Sequence, residues 1–285
     1  MLDTPQKIAF QGVPGAYSHM ACQAVKPDMD AVGCASFEDM LSQVQDGQAD
    51  LAMVPVENST AGRVADIHHL LPESGLHIVG EHFQRVNHHL LAPRGSQLDK
   101  LKTVHSHAQG LAQCRLHIRE LGLTPIMHPD TAGAAKDVAT LGDPTVAAVA
   151  SRLAAEIYDL DIFIESLEDD KKNTTRFLIM SADPFTPKIS NTAMITTLVF
   201  QLRSVPAALY KALGGFATNG INLTKLESYL RPGVNERAQF YMDVEGHIDE
   251  PAMVHAMEEL QFYCMKDEVR VLGTYAASPD RHQQS

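Results

Sequence analysis

The sequence predicts an α/β region of two lobes followed by a smaller α+β domain, and three observations lead there. Through the first part of the chain, short apolar runs repeatedly end in polar or glycine-containing loops that open helices, the rhythm of open α/β sheets. The apolar run Phe177 to Met180 comes after all of these, so it reads as a strand returning to the first lobe's sheet or lying beside the hinge. Ser181 to Pro187 then carries Pro184 and Pro187 in a short linker, beyond which strands and helices follow a different order. A length of 285 residues with 45% hydrophobic content suits about two domains with real cores.

The elements follow in order. Lys7 to Gln11 reads as a strand, Gly12 to Tyr17 (GVPGAY) as a loop, and Ser18 as the cap of a helix, a generic seat for an anion. The loop lacks GK[ST] and GxGxxG, so it implies no nucleotide. Phe37 to Gln45 places Phe37, Met40, Leu41 and Val44 on one helical face, and the strand Leu51 to Val56 empties into Glu57-Asn58-Ser59-Thr60 and a helix through Leu71. Ile78 to Ala92 alternates like paired strands and carries the chain into the second lobe. There the plan recurs at Lys102 to His105 with Ser106-His107-Ala108-Gln109, at Pro129 to Ala135, which gives Thr131 a similar place, and at Thr145 to Ala150 with Ser151-Arg152. Gln109 and Gln113, four residues apart, share a helix side. Ile162 to Ser166 then leads through charged residues to Asn173-Thr174-Thr175-Arg176-Phe177.

After the linker come a strand (Thr192 to Leu202), a helix opened by Pro206, strands Ile221 to Leu230 and Gln239 to Glu245, a helix Glu250 to Phe262 and a strand Glu268 to Tyr275. This is βαββαβ, a ferredoxin-like order. The tail SPDRHQQS reads as disordered.

A net charge of −12 with dispersed acidic and basic residues argues against nucleic acid or anionic membranes as partners. No apolar run has the length of a membrane span. Cys22, Cys34, Cys114 and Cys264 form no CxxC, and MLDTPQKIAF is unlike a signal peptide, so reduced thiols and a cytoplasmic location are expected. His68-His69, His88-His89 and His105-x-His107 lack HExxH spacing, so no metal is expected. What stands out is chemistry suited to a carboxylate and a hydroxyl: Asn173, Thr174, Thr175 and Arg176 where a strand begins, and Glu57, Asn58 and Ser59 where another ends.

GVPGAYSHMA, VPVENSTAGRV, HSHAQGLAQC, DTAGAA and NTTRF, in that order with GGFATNGINLTKLES behind them, resemble the prephenate dehydratase family with its C-terminal ACT regulatory domain, over Ile8 to about Tyr275. The resemblance implies a two-lobed catalytic domain akin to type 2 periplasmic binding proteins over 1–185, with lobe 1 about 1–78 and 168–185 and lobe 2 about 79–167, and an ACT domain over 190–278. It implies a carbon–oxygen lyase that turns prephenate into phenylpyruvate, water and carbon dioxide for L-phenylalanine synthesis, with no cofactor. It further implies a homodimer or homotetramer through ACT domains that bind phenylalanine as effector.

Residue by residue, the Thr of TRF maps to Thr175 as the group tied to departure of the hydroxyl, with Glu57, the only carboxylic acid in the motifs, as the second candidate proton donor. Asn58, Ser106 and Gln113 match active-site positions, and Ser59, Thr174 and Gln109 are neighbours expected to bind substrate. Arg176 suits a substrate carboxylate or a salt bridge to Asp169, Asp170 or Glu57. The effector is expected between Asn222, Leu223, Glu227 and Ser228 and a partner's ACT domain. Two departures bear on regulation: the first ACT helix opens Pro206-Ala207-Ala208-Leu209, and the Glu-Ser-Arg-Pro motif is interrupted as Glu227-Ser228-Tyr229-Leu230-Arg231-Pro232. Arogenate dehydration, the same chemistry on an amino-bearing substrate, is the near alternative. A two-lobed small-anion sensor and a purely regulatory amino-acid-binding protein are the alternatives outside enzymology.

Overall fold

The computed structural model describes residues 6–230 and 238–284. Arg231, Pro232 and Gly233 of the interrupted motif therefore lie outside the described residues, as does Ser285 of the tail. Two compact units divide the chain: residues up to Val64 with Phe83–Phe177, and Ala65–His82 with Leu178 onward.

The first unit opens with β1 (Lys7–Gln11), α1 (Tyr17–Val25), β2 (Asp30–Cys34), α2 (Phe37–Gln45), β3 (Leu51–Asn58) and β4 (Gly62–Arg63). α1 begins at Tyr17 with Ala16 uncapped by any side chain, so Ser18 sits inside the first turn and is not the cap the sequence suggested. α2 is held at its start by Ser36, whose hydroxyl accepts from the Asp39 N–H at 3.0 Å, with Glu38 and Asp39 on the positive end of the helix. α3 (Ala65–Leu70) and β5 (His77–Arg85) lead on to β6 (His89–Pro93), β7 (Thr103–Ser106), α4 (Ala108–Gln113), α5 (Arg115–Glu120) and β8 (Thr124–Met127). α6 (Thr131–Leu141), β9 (Val146–Ala150), α7 (Arg152–Tyr158), β10 (Leu160–Ile164) and β11 (Thr174–Ser181) complete the α/β part.

The first sheet runs β2-β1-β3-β11-β5, so the late strand β11 lies beside β3, in the first lobe's sheet as its sequence position suggests. The second sheet runs β10-β6-β9-β7-β8, with β7 parallel to both β8 and β9. It is covered on both faces: Leu90, Val104, Ala147 and Val149 pack with α5's Ile118, while Leu91, Ala148 and Ala150 pack with Ala132 and Ala135 of α6 and Ala154 of α7. Burial on both faces is why β9 reads VAAVA without alternation. The loop before α1 docks against α7: Ser151 Oγ donates to the Gly15 carbonyl, Tyr158 donates to the Pro14 carbonyl at 2.7 Å, and Gly15, at φ +89°, lies flat against the Ala154 backbone.

The second unit holds β12 (Met194–Leu202), α8 (Ala208–Thr218), β13 (Leu223–Leu230), β14 (Ala238–Glu245), α9 (Pro251–Tyr263) and β15 (Cys264–Ala276), the βαββαβ order expected. Its antiparallel sheet, β13-β14-β12-β15, packs Leu198, Phe200, Met242 and Val244 against Phe216 of α8 and Leu260 of α9. The opposite face is polar yet buried: Thr197 Oγ1 donates to Asp243 Oδ1 at 2.6 Å and lies 2.7 Å from the Tyr275 hydroxyl. Ala65–His82 packs with this unit, and an added Cβ at Gly273 would collide with the Ile78 carbonyl. The tail is not loose as far as Arg281, which grips the fully buried Glu81 carboxylate through Nε at 3.0 Å and Nη2 at 2.6 Å.

Candidate active site

The predicted tips of β3, α4 and β11 meet. β3 ends at Asn58, whose Oδ1 accepts from the backbone N–H groups of Thr60 (3.0 Å) and Ala61 (2.8 Å), an Asx turn that opens the following loop. Its Nδ2 donates to Asn173 Oδ1 at 2.7 Å and to Thr175 Oγ1 at 3.0 Å. Alternation along β11 puts Asn173 and Thr175 on one side of the strand and Thr174 and Arg176 on the other. Asn173 Nδ2 reaches Gln113 Oε1 at 2.9 Å, and Gln113 Oε1 lies 2.8 Å from His88 Nε2. The row ends at Tyr17, whose hydroxyl is 2.9 Å from His88 Nδ1 and 2.6 Å from the Asn87 carbonyl. One line of polar side chains thus joins Thr175, Asn58, Asn173, Gln113, His88 and Tyr17.

The remaining predicted residues are placed as follows. Ser106 is fully buried and donates to the Val149 carbonyl at 2.6 Å; a Cβ on Gly110 would touch Ser106, Thr131 and His88, so these three surround one point. Ser59 clasps the loop to β11, its hydroxyl donating to the Lys172 carbonyl (3.1 Å) and accepting from the Thr174 N–H (3.0 Å). Gln109 is exposed on the first turn of α4, and its N–H points at His107 Nδ1. Arg176 is a buried cation at 4% exposure. Glu57 pairs across with Arg63 of β4, and alternation sends it to the face of β3 opposite Asn58. Of the two other carboxylates weighed for Arg176, Asp169 accepts from the Leu116 N–H and His117 Nδ1 at the start of α5, and Asp170 accepts from the Lys172 N–H at 3.0 Å.

Electrostatics favour neutral, proton-bearing groups along the line. Burial, helped by Cys114 and Glu168, holds the Tyr17 hydroxyl well above the usual tyrosine range. Burial lowers His88, with the Gln113 bond and the Glu168 charge pulling part of the way back and His89 adding to the fall, so the ring is neutral near pH 7. The four cysteines are buried and free, and burial pushes Cys22 and Cys264 up to about 12, so they are protonated. Among the described residues no three His, Cys, Asp or Glu side chains gather as a metal site, and no helix is long and apolar enough to cross a membrane.

Tyr17, His88 and Glu168 were not among the site residues singled out from the sequence, and Asn173, which stood out with its stretch, was given no role of its own. The available signal was a polar doublet, His88-His89, at the mouth of an apolar strand: both rings are buried, and the His88 N–H donates to Glu168 Oε2 at 2.8 Å.

In the second unit, Asn222 is exposed and its carbonyl accepts from the Glu245 N–H, while Leu223 joins the helical core. Glu227 pairs with Lys225 at 2.8 Å and lies 3.8 Å from His68 Nε2, and Ser228 is exposed on the edge strand β13. A cavity of about 350 Å³ lined by Met194, Glu245, Gly246, Glu250 and Arg281 lies in this unit.

Comparison with known proteins follows the same lines. Residues 8–184 match the family model described as prephenate dehydratase. The chain is 50% identical, over 97% of its length and 98% of the relative's, to a bifunctional N-acyl-homoserine lactone acylase/prephenate dehydratase of Komagataeibacter europaeus. It is 38% identical to arogenate dehydratase/prephenate dehydratase 1 of Arabidopsis thaliana, covering 96% of this chain and 72% of that one. Among solved structures, prephenate dehydratase from Arthrobacter aurescens in complex with L-Phe superposes at a TM-score of 0.85 with 28% identity, covering 95% of this chain and 90% of the other.

Proposed function

This chain belongs to the prephenate dehydratase family, and we propose that Thr175 is the proton donor of its reaction, within a pocket bordered by Asn58, Ser106 and Gln113. The observation that carries this is the 3.0 Å bond from Asn58 Nδ2 to Thr175 Oγ1. The threonine oxygen is occupied as an acceptor, and among the described residues its own proton has no acceptor, so it is available to a ligand. In prephenate the bond from the ring to its carboxylate breaks, that electron pair completes the aromatic ring, and the C4–oxygen bond breaks. The departing hydroxide takes a proton and leaves as water, carbon dioxide is released, and phenylpyruvate remains. Because aromatisation drives the reaction, orientation and one aimed donor suffice, which makes the enzyme a carbon–oxygen lyase that needs no cofactor.

Arg176, a buried permanent cation that strand alternation turns from the Thr175 side, lends positive potential to the site of a doubly anionic substrate without touching it, and Ser59, Thr174 and Gln109 lie on the elements that border the pocket. Glu57 ranks below Thr175 as donor because strand alternation turns it from the Asn58 face. Following phenylpyruvate absorbance tests the reading: Thr175→Ala is expected to lower kcat by ~100-fold or more with KM little changed, and an effect on KM alone moves Thr175 to the binding residues.

Arogenate is the nearest other substrate, carried by the double naming of the Arabidopsis relative; parallel kcat/KM values on both substrates decide between them. Hydrolysis of N-acyl-homoserine lactones is the second reading, carried by 50% identity across almost the whole Komagataeibacter protein, and release of homoserine lactone on incubation tests it. A small-anion sensor would show binding without turnover in the same assays.

Phenylalanine regulation is supported by the L-Phe complex of the Arthrobacter relative and by the βαββαβ domain, read here as an ACT domain over 190–278 behind a catalytic region over 1–185. The effector would lie at Asn222, Leu223, Glu227 and Ser228. β13, at the sheet's edge with Leu226 and Leu230 exposed, suits pairing into a homodimer or homotetramer. Calorimetry with phenylalanine and sedimentation test the two ideas. A cytoplasmic location follows from the proposed biosynthetic role.

A further inference from the structure

We propose that His88 takes up a second ring proton when a dianionic substrate enters the pocket, and that the imidazolium so formed is a positioning residue, fixing Gln113 and the row that leads to Thr175. This deepens the reading of the pocket as a prephenate site and rests on it.

The ring is short of one hydrogen. Three close contacts follow one another: the Tyr17 hydroxyl with the Asn87 carbonyl at 2.6 Å, the same hydroxyl with His88 Nδ1 at 2.9 Å, and His88 Nε2 with Gln113 Oε1 at 2.8 Å. Each needs a hydrogen between its two heavy atoms. The phenol supplies one, given to the Asn87 carbonyl, and burial holds that proton on Tyr17. A neutral imidazole supplies only one more, so whichever nitrogen carries it, the other turns a lone pair toward an oxygen lone pair.

Turning an amide does not relieve this. Asn58 Oδ1 accepts from the Thr60 and Ala61 N–H groups, which only donate, so Asn58 Nδ2 faces Asn173 Oδ1 and Asn173 Nδ2 faces Gln113 Oε1. A turned Gln113 would set its own NH₂ against that of Asn173. An imidazolium completes the set, donating from Nδ1 to the Tyr17 oxygen and from Nε2 to Gln113 Oε1.

The charge balance around the ring points the same way. Glu168 is 2% exposed; its Oε2 accepts the His88 backbone N–H at 2.8 Å, and its Oε1 is buried with no hydrogen-bond partner among the described residues. A positive ring beside it compensates that buried carboxylate. The other titratable groups that face or influence His88 are Tyr17 from α1 and Cys114 between α4 and α5, both kept protonated by burial, and the adjoining His89 of β6. In the free protein burial outweighs the pull of Glu168 and the ring stays neutral near pH 7. Two more negative charges, brought by a ligand that Gln113 borders, reverse the balance, and the proton comes from solvent.

The test follows phenylpyruvate release by the whole protein across and above the histidine range, with kcat/KM reporting ionisations of the free enzyme and kcat those of the complex. kcat/KM should begin to fall at a pH below about 6.5, where the free ring loses its second proton, and kcat should begin to fall at least about one pH unit higher. Between the two breaks KM should rise by up to roughly tenfold per pH unit while kcat holds, because one proton is bound with each substrate. The substrate's own carboxylates ionise well below this window. His88→Gln, which has no proton to gain, should close the gap, and Tyr17→Phe, which removes the oxygen that accepts from Nδ1, should narrow it. A histidine that only packs would leave the two breaks together. Coincident breaks in the wild type, or a gap unchanged in either variant, overturn the proposal; if neither variant folds, the wild-type profiles decide alone. Absence of phenylpyruvate at every pH overturns both this proposal and the dehydratase reading. A fully active Thr175→Ala enzyme removes the Thr175 assignment only, and a gap between the profiles supports the His88 proton as before.

Discussion

The chain buries polar side chains in two places, and it does so in opposite ways. In the first unit a row of polar side chains runs from the Asx turn at Asn58 to Tyr17, the bonds from Asn58 through Asn173 to Gln113 each fixing the direction of the next, and it leaves a donor at the Thr175 end. In the second unit Glu81 is closed by the Arg281 fork, and Asp243 takes the Thr197 hydroxyl. A group reserved for a ligand must keep one valence unspent, whereas a group that only holds the fold is best fully spent.

The sharpest way to break this contrast is Arg281→Met. It strips a buried carboxylate of its cationic partner, leaving the Ser278 N–H among its donors, and should cost ~3–5 kcal/mol in urea unfolding of the second unit; a loss below ~1 kcal/mol would mean water reaches Glu81. Next is Asn58→Asp, which sets an acceptor against Asn173 Oδ1 and Thr175 Oγ1. It should lower kcat roughly a hundredfold while leaving the second unit's unfolding midpoint in place, and a normal kcat would show that the row does not govern Thr175. Gly273→Ala should destabilise by ~1–3 kcal/mol, because the added carbon meets the Ile78 carbonyl. The Tm of this variant measures the effect, and unchanged activity on the first unit would sharpen the separation.

The smallest effect is that of pH. His19, His88, His89 and His105 have folded values lowered by burial, so the unfolded chain binds more protons as the pH falls. Their contribution is complete above the ordinary histidine value of about 6.5 and is lost progressively below it. Tm should therefore drop between pH 7 and pH 5, and His88→Gln should flatten that slope.

The legibility of the sequence follows burial. β9, β3 and the Phe177 to Met180 part of β11 are apolar because they are covered, and they are visible as strands without a structure. β2 (DAVGC) and β8 (TPIM) escape because edge strands with exposed residues carry neither an apolar run nor alternation. Asn58, Thr175, Ser106 and Gln113 could be listed from the motifs that carry them, but the order in which they bond could not. That order depends on Asn173 and His88, which bridge stretches far apart in the chain. The tail was misread for a similar reason: SPDRHQQS has the composition of a loose end, and only the distant Glu81 gives Arg281 a place.

Gly15 shows how little material can separate the two sheets of the first unit. α7 grasps the loop before α1 by carbonyl oxygens, through Ser151 and Tyr158, and the glycine rests directly on Ala154. A single methyl group there would act as a shim, prying α7 off its seat and tilting every residue that looks across the gap. The fit between this loop and α7 is thus gauged by an atom the chain does not possess.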